Sequence, residues 1–371
     1  MAWPILLLAR ELDVGGSERQ MTLIAKALDR SRFEPHVGCF RSGGLRGREL
    51  EAAGVPIAHF PVHSFASPRA VSGALQLARF IRDHRIRLVH TFDYPLTVFA
   101  VPLAHLFTRA VVVSSQRSHR ELIPRGYLKM VRMTDRMVDA IVVNCEFVRR
   151  HLEHDEGLPP SQVQLCYNGI DLDEFRPPEN GGGDDIVIGV VCALRPEKDL
   201  PALLESFANV RRTRPRLKLA IVGGGPMLEA LQARARALGV HEHCTFAQAT
   251  DKVAEWLRRM DIFVLPSRSE ALSNSLMEAM ACGCCSVASN VGGNPELIRD
   301  GENGLLFQAG NVPALTAALE RVIDNEPLRK KLATTAPQSI REKFSIRSSA
   351  DRMADIYSSL IEPRVRSAGA A

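Results

Sequence analysis

Short runs of β-branched and aliphatic residues alternate with longer amphipathic stretches along the whole chain. In the first half the runs fall at residues 5–9, 36–40, 56–60, 88–91, 110–114, 140–144 and 163–167. In the second half they fall at 186–191, 217–222, 244–247, 262–266, 286–289 and 304–307. Runs this short and this continuously apolar predict parallel strands covered on both faces, with the intervening stretches as crossover helices. Between residues 168 and 185 the pattern lapses into two prolines, Pro177 and Pro178, and three glycines, 181–183, a composition that predicts a flexible linker. The expected organisation is α/β: a doubly wound parallel-sheet domain over 1–170, a linker over 171–185, a second such domain over 186–343, and a helix and tail over 344–371. Ligands in such sheets bind outside the carboxyl ends of strands, and a cleft between two sheets is the default site.

The apolar stretch over 96–107 reads as a buried helix, because a membrane span needs about 20 apolar residues. The run at 5–9 is too short for the core of a secretory signal, so a cytoplasmic protein is expected. Composition narrows the class without naming the activity. Hydrophobic residues make up 46% and charged ones 24% of the 371 residues, the balance of a soluble enzyme. The net charge of +5 is not gathered into a run of Lys and Arg, so nucleic acid is not expected as a partner, while anionic substrates or an anionic membrane surface are compatible. Most of the eight cysteines, Cys39, Cys166 and Cys192 among them, lie in or beside apolar runs and read as buried packing residues. Cys282 and Cys285 have C-x-x-C spacing but no second pair to complete a zinc site, and are read the same way.

The segment with most chemistry runs S-R-S-E-A-L-S-N-S-L-M-E-A-M-A-C-G from Ser267 to Gly283. Ser273 or Asn274 suits a helix N-cap, and residues 275–281 suit the helix that follows. Glu270 then lies in the loop at the carboxyl end of the strand over 262–266, and Glu278 about one turn into the helix. Free N–H groups at Ser273, Asn274, Ser275 and Leu276 would offer a diphosphate an anion site. Carboxylates accept only, so Glu278 suits the paired hydroxyls of a ribose and Glu270 those of a sugar. On spacing alone, an ordinary amphipathic helix with two exposed acids fits equally. Lys198, just after the first strand of the second domain, would bring a fixed ammonium to the same diphosphate.

This segment resembles the retaining GT-B-fold glycosyltransferases of the family 4, group 1 type. Further matches carry the resemblance: Val291-Gly292-Gly293-Asn294-Pro295-Glu296, Asp300-Gly301-Glu302-Asn303-Gly304, Arg195-Pro196-Glu197-Lys198-Asp199, Val222-Gly223-Gly224-Gly225-Pro226, Asn168-Gly169-Ile170-Asp171 and Gly15-Gly16-Ser17-Glu18-Arg19. They follow the family's order along nearly the whole chain, specifically in the C-terminal half and more loosely in the N-terminal half. The resemblance implies two Rossmann-like domains facing across a cleft, a C-terminal helix over about 344–360 returning to the first domain, and transfer of a sugar from a nucleotide-diphosphate sugar with retention and without metal or other cofactor. It implies donor contacts at Lys198, Glu270, Glu278, the helix start at Ser273–Leu276, and Gly15 and Gly16. The family's usual arginine five residues before the lysine is Ala193 here, and Arg195 is the candidate substitute. Gly223–Gly225 reads as a structural strand-to-helix turn, and Asp171-Leu172-Asp173, despite its D-x-D form, as part of the linker without metal.

On the acceptor side the family's histidine after the fifth strand is offset. Gln116 or Arg117 takes its place and His119 follows, so His119 is read either as a catalytic or acceptor-holding residue or as a loop histidine, with His90 a weaker candidate of the same kind. Arg125, Lys129, Arg132 and Arg136 recur at helical spacing, either as a solvated face or as a contact with anionic lipid or a phosphate-bearing acceptor. The acceptor class is a glycan, a lipid-linked sugar or a small molecule, with the enzyme peripheral at the inner membrane face if the stripe binds lipid. The alternatives are a nucleotide-sugar epimerase of the same fold, a dinucleotide-dependent oxidoreductase, against which the absence of G-x-G-x-x-G argues, and a non-catalytic sensor.

Overall fold

The computed structural model of the chain describes residues 2–13, 15–41, 43–62, 68–179 and 185–369; the glycines 181–183 of the expected linker lie outside the described residues. The chain divides into two compact units. One comprises residues 1–169 and 346–371, the other residues 170–345.

In the first unit seven strands form one parallel sheet: β1 (Trp3–Glu11), β2 (Phe33–Arg41), β3 (Ile57–His59), β4 (Leu88–Thr91), β5 (Val111–Gln116), β6 (Ala140–Val143) and β7 (Val163–Leu165), in the order β3-β2-β1-β4-β5-β6-β7. Ile5, Leu6, Leu7 and Leu8 of β1 are all buried, as a central strand with helices on both faces requires. β1 and β2 extend beyond the apolar runs at 5–9 and 36–40, because polar and aromatic ends still pair, Trp3 with Phe33 and Glu11 with Arg41. Pro35 is tolerated inside β2 because β3 pairs only with Val37, Gly38 and Cys39. The stretch over 96–107 belongs to the helix Tyr94–Phe107, capped by Asp93, whose Oδ1 accepts from Leu96 N at 2.9 Å. Among the described residues, no helix is long and apolar enough to cross a membrane.

The second unit holds six parallel strands: β8 (Val187–Val191), β9 (Lys218–Val222), β10 (Cys244–Ala247), β11 (Ile262–Leu265), β12 (Cys285–Ser289) and β13 (Leu305–Phe307), in the order β10-β9-β8-β11-β12-β13. Each sheet therefore reverses its direction of growth once, between β1 and β4 and between β8 and β11. Loops leaving adjacent strands there part to opposite faces and open a crevice at the carboxyl edge. All thirteen strands lie on the runs that the hydrophobic pattern marks.

The C-terminal helix spans Ile346–Gly369, longer than the expected 344–360. Ala350, Met353, Ala354, Tyr357 and Ile361 recur at helical spacing and are buried in the core built on β1, β2 and β4. Burying Met353 or Ile361 contributes roughly 1.5–3 kcal/mol each. The chain enters and leaves the second unit side by side, Ile170 bridging Ser345. In the first unit Gly169 lies so close to the C-terminal helix that a Cβ there would meet Ile346 Cα at 2.7 Å.

Candidate active site

The carboxyl edge of the second sheet is assembled from three loops. After β8 the chain runs through a short turn, Pro196–Lys198, to Asp199, which takes the left-handed conformation (φ 48°). This loop approaches the turn after β9 so closely that side chains there are excluded. A Cβ on Gly223 would sit 1.9 Å from Cys192 O, and one on Gly225 2.5 Å from Leu194 O, with both glycines at positive φ. The Gly223–Gly225 turn therefore packs backbone on backbone. Two contacts tie the β8 loop to the loop after β11: Arg268 N donates to Glu197 O (2.8 Å), and the Arg268 guanidinium pairs with Asp199 (2.9 Å).

These ties set Lys198 against Glu270. The Lys198 Nζ donates to Glu270 Oε1 at 2.5 Å, and Ser267 Oγ donates to the same oxygen at 2.7 Å. Ser267 is fixed in turn, its carbonyl accepting from Ser289 Oγ at 2.6 Å. Burial pulls the Lys198 pKa down, but the Glu270 carboxylate outweighs it and holds the ammonium above its ordinary value, so it is charged at neutral pH. The Glu270 backbone is held from beneath by Gly292 (φ 55°), where a Cβ would lie 1.9 Å from Glu270 O, and by Gly293 N, which donates to Ala271 O (2.7 Å). With two donors on Oε1, Oε2 meets no donor among the described residues and is placed to accept from a hydroxyl.

The helix Asn274–Ala281 follows directly. Ser273 is its N-cap, its Oγ accepting from Leu276 N (3.3 Å) and lying 3.3 Å from Ser275 Oγ. Asn274 is the first helical residue, so of the two cap candidates the structure uses Ser273. Leu276 and Met277 pack inward, and Glu278, 4% exposed, is buried with them rather than exposed on an amphipathic face. Lys198, Glu270 and the helix start are thus brought together. Arg195 is not: its side chain is exposed, its nearest charge being Glu197 at 4.0 Å.

In the first unit, Gly15 is the N-cap of the helix Gly16–Ala27. Its φ of −120° suits any residue, and a Cβ there would meet only the mobile end of the Glu18 side chain, at 1.9 Å from Oε2. Burial first, then Asp93 and Glu11, raise the Glu18 pKa. His90 departs from the expectation that it holds an acceptor. It is wholly buried, Nδ1 bonded to Tyr357 OH (2.6 Å) and Nε2 to Ser115 Oγ (2.8 Å). Both ring nitrogens are spent inside the fold, and burial, with Arg117 nearby, depresses its pKa and keeps it neutral. His90 therefore ties the C-terminal helix to β4 and β5.

Arg117 leaves the end of β5, where Gln116 Nε2 closes the turn on Ser118 O (2.7 Å). Its Nη1 donates to Asn168 Oδ1 (2.6 Å), and its guanidinium lies 4.9 Å over the Phe92 ring. His119 caps the turn Arg120–Leu122, Nδ1 accepting from Glu121 N (3.4 Å), and its ring lies 4.4 Å from that of His151. The sequence did not single out Glu18, His151, Ser267, Gly292 or Tyr357 for roles of their own. Ser267 and Gly292 stood inside the quoted motifs, while Tyr357 and His151 carry no local signal.

The basic residues at 125–136 do not form one helical stripe. The helix Arg125–Thr134 stops before Arg136, which falls in the turn Asp135–Met137. Arg132 is drawn off by Glu156, its Nε and Nη2 both bonded at 2.7 Å. Arg125 and Lys129 remain beside exposed Met130 and Met133. Cys282 and Cys285 are free and buried. Asp171 of the D-x-D segment turns its Oδ1 to Asp173 N (3.0 Å) and Glu174 N (3.4 Å), a local turn.

Comparison with known proteins places this geometry. The model of glycosyl transferases group 1 matches residues 171–339, and that of glycosyltransferase family 4 matches residues 14–174. The chain is 27% identical over 313 residues to the GDP-mannose-dependent alpha-(1-6)-phosphatidylinositol monomannoside mannosyltransferase of Mycolicibacterium smegmatis, covering 78% of this chain and 81% of that one. It is 28% identical over 357 residues to the D-inositol 3-phosphate glycosyltransferase of Streptomyces scabiei, covering 89% and 78%. Among solved structures, Anabaena HepE in complex with UDP and glucose superposes with a TM-score of 0.85 at 21% identity, over 96% of this chain and 99% of that one. Two Rossmann-like sheets and two family matches that run end to end lead to one assignment: the chain belongs to the GT-B glycosyltransferases of family 4, group 1.

Proposed function

We propose that the protein transfers a sugar from a nucleotide-diphosphate sugar to a glycan, lipid-linked or small-molecule acceptor, with retention and without a metal. The observation that carries this reading is the half-buried Lys198–Glu270 pair fixed by Ser267 beside a capped helix start, at the carboxyl edge where the second sheet reverses. Negative charge grows on the leaving diphosphate. A preorganised ammonium at Lys198, with the N–H groups at the helix start around Asn274 and Ser275, stabilises it without reorganisation. When the diphosphate arrives it competes with Glu270 for Lys198, and the freed Glu270 carboxylate accepts hydroxyls of the transferred sugar. Glu278 holds the ribose. The names of the relatives agree with such a donor, one being GDP-mannose-dependent and the solved neighbour carrying UDP.

In the step itself the bond from the anomeric carbon to the diphosphate oxygen breaks. The acceptor oxygen bonds to the same carbon from the same face, and its proton passes to the departing phosphate. Arg117 and His119, at the carboxyl edge of the first sheet, are the acceptor-side residues. Arg125 and Lys129, flanked by exposed Met130 and Met133, give that unit a face for anionic lipid; equal co-sedimentation with neutral and anionic vesicles would remove this part of the reading.

The test is a panel of UDP, GDP, ADP and NAD by thermal shift, with and without EDTA. One nucleoside diphosphate should raise the melting temperature, EDTA should not change the shift, and Glu278→Ala should abolish it. Lys198→Ala should lower turnover of the matching nucleotide sugar on the order of 100-fold or more. Stabilisation by NAD alone overturns the reading. For stereochemistry, NMR of the sugar first released to water should show the donor's anomeric configuration; the opposite anomer excludes retention.

A further inference from the structure

Two arginines three residues apart differ in how their charge is met. Arg120, 2% exposed, is held by Asp135 through two bonds from Nη2 (3.0 and 2.8 Å) and reaches Glu156 at 3.3 Å. Arg117 pairs with no carboxylate among the described residues. Its guanidinium makes one hydrogen bond among the described residues, to the neutral amide of Asn168, and rests on Phe92. The Nε of each is sealed from solvent without an acceptor, so what separates the two is charge compensation. The groups that electrostatically favour the Arg117 cation are Cys166 and Tyr357, both kept neutral by burial, and desolvation brings its pKa down to about 10. A desolvated cation without a counter-ion is costly to a fold, whereas the same cation facing an arriving anion gives a strong, geometrically selective contact.

The position is where a ligand is expected. Arg117 is the first residue beyond β5, next to β4 and one strand from the point at which the sheet reverses. Neighbouring His90 is neutral, so it does not compete for an anion.

We propose that Arg117 is a phosphate-recognition residue, and that the acceptor carries a phosphate group which its guanidinium binds. The proposal rests on the acceptor-side assignment of this edge and deepens it by naming the class of acceptor: a phosphate ester, either of a soluble polyol or in a lipid headgroup.

The experiment compares the full chain with Arg117→Gln and Arg117→Lys at constant ionic strength. Melting temperature is read against sodium chloride, inorganic phosphate and glycerol 3-phosphate, and binding is read on vesicles of phosphatidylcholine with and without phosphatidylglycerol. Without phosphate, Arg117→Gln should melt at or above the wild-type temperature, because removing an uncompensated charge relieves the fold. Phosphate and glycerol 3-phosphate should raise the wild-type melting temperature, Arg117→Lys should retain part of that shift, and Arg117→Gln should lose it. A loss confined to anionic vesicles assigns the headgroup as the source; a loss in the glycerol 3-phosphate arm assigns the soluble ester. Equal shifts in all three proteins place the phosphate elsewhere and overturn the proposal, as does a destabilised Arg117→Gln whose phosphate response is unchanged. The nucleotide panel, run alongside, separates the two readings. A phosphate response at Arg117 without any nucleotide response removes the donor assignment and leaves this site standing.

Discussion

Tyr357 OH and His90 Nδ1 meet at 2.6 Å across 267 residues of sequence, in a place no water reaches. Tyr357→Phe removes one hydroxyl and leaves the imidazole nitrogen unpaired, so denaturant unfolding should report a loss of about 1–3 kcal/mol. The same histidine gives the fold an acid limb. Its folded pKa is depressed below the unfolded value of about 6.5, so its contribution is complete above that pH and declines as pH falls toward the folded pKa. Unfolding curves between pH 7 and 5 should steepen by up to about 1.4 kcal/mol per pH unit from this group, and His90→Gln should flatten them. Glu18 has the opposite sign. Its carboxyl pKa is raised by burial and by Asp93 and Glu11, so stability from this group is full below the unfolded pKa and is lost as pH rises through the folded value. Glu18→Gln should therefore raise the melting temperature at neutral pH and leave it little changed near pH 4; a drop at neutral pH would show that the carboxylate caps the helix more than it strains it.

At the scale of elements, the helix Asn274–Ala281 and the loop before it act as one part. Ser273→Ala removes the cap on a helix of eight residues, frees the Leu276 N–H and should cost about 1 kcal/mol in denaturant unfolding. Gly292→Ala attacks the part from below. A Cβ there meets Glu270 O at 1.9 Å, and the φ of 55° disfavours any side chain, so the loop carrying Glu270 must shift. Turnover should fall more steeply than stability; a folded Gly292→Ala with full activity would mean that Glu270 need not be held where it is. The ends of this part are readable locally, as Ser-Asn-Ser before an apolar helical run. Its pairing with Lys198, 72 residues away, is not.

For the molecule as a whole, the C-terminal helix Ile346–Gly369 belongs to the first unit, its Met353, Ile356, Tyr357 and Ile361 completing the core over β1, β2 and β4. A chain ending before residue 346 would expose that apolar strip and leave His90 without Tyr357. It should accumulate as insoluble protein, while Arg364→Ala, which cuts contacts to Arg109 O, Ala110 O and Asp139 but leaves the apolar strip in place, should stay soluble. A soluble, monomeric truncation with a sharp melting transition would show that the sheet closes its core without the helix.

The sequence by itself determined the thirteen strands, their parallel class and the loops that carry the chemistry. Burial on both faces writes itself as short continuous apolar runs, and a helix start writes itself in its cap. It placed Lys198 and Glu270 in loops at the carboxyl edge of the second sheet and Glu278 in the helix that follows, because each of those motifs is contiguous. The tertiary structure alone decided which of these meet and which charges are met. Glu278 turned inward, Arg132 was taken by Glu156, Arg136 fell outside its helix, and His90 was closed between Ser115 and Tyr357. It also left Arg117 uncompensated while pairing Arg120. Periodicity records how often a position faces the core. Which partner waits there depends on register and on packing between segments far apart in the chain, and local pattern carries no information about either.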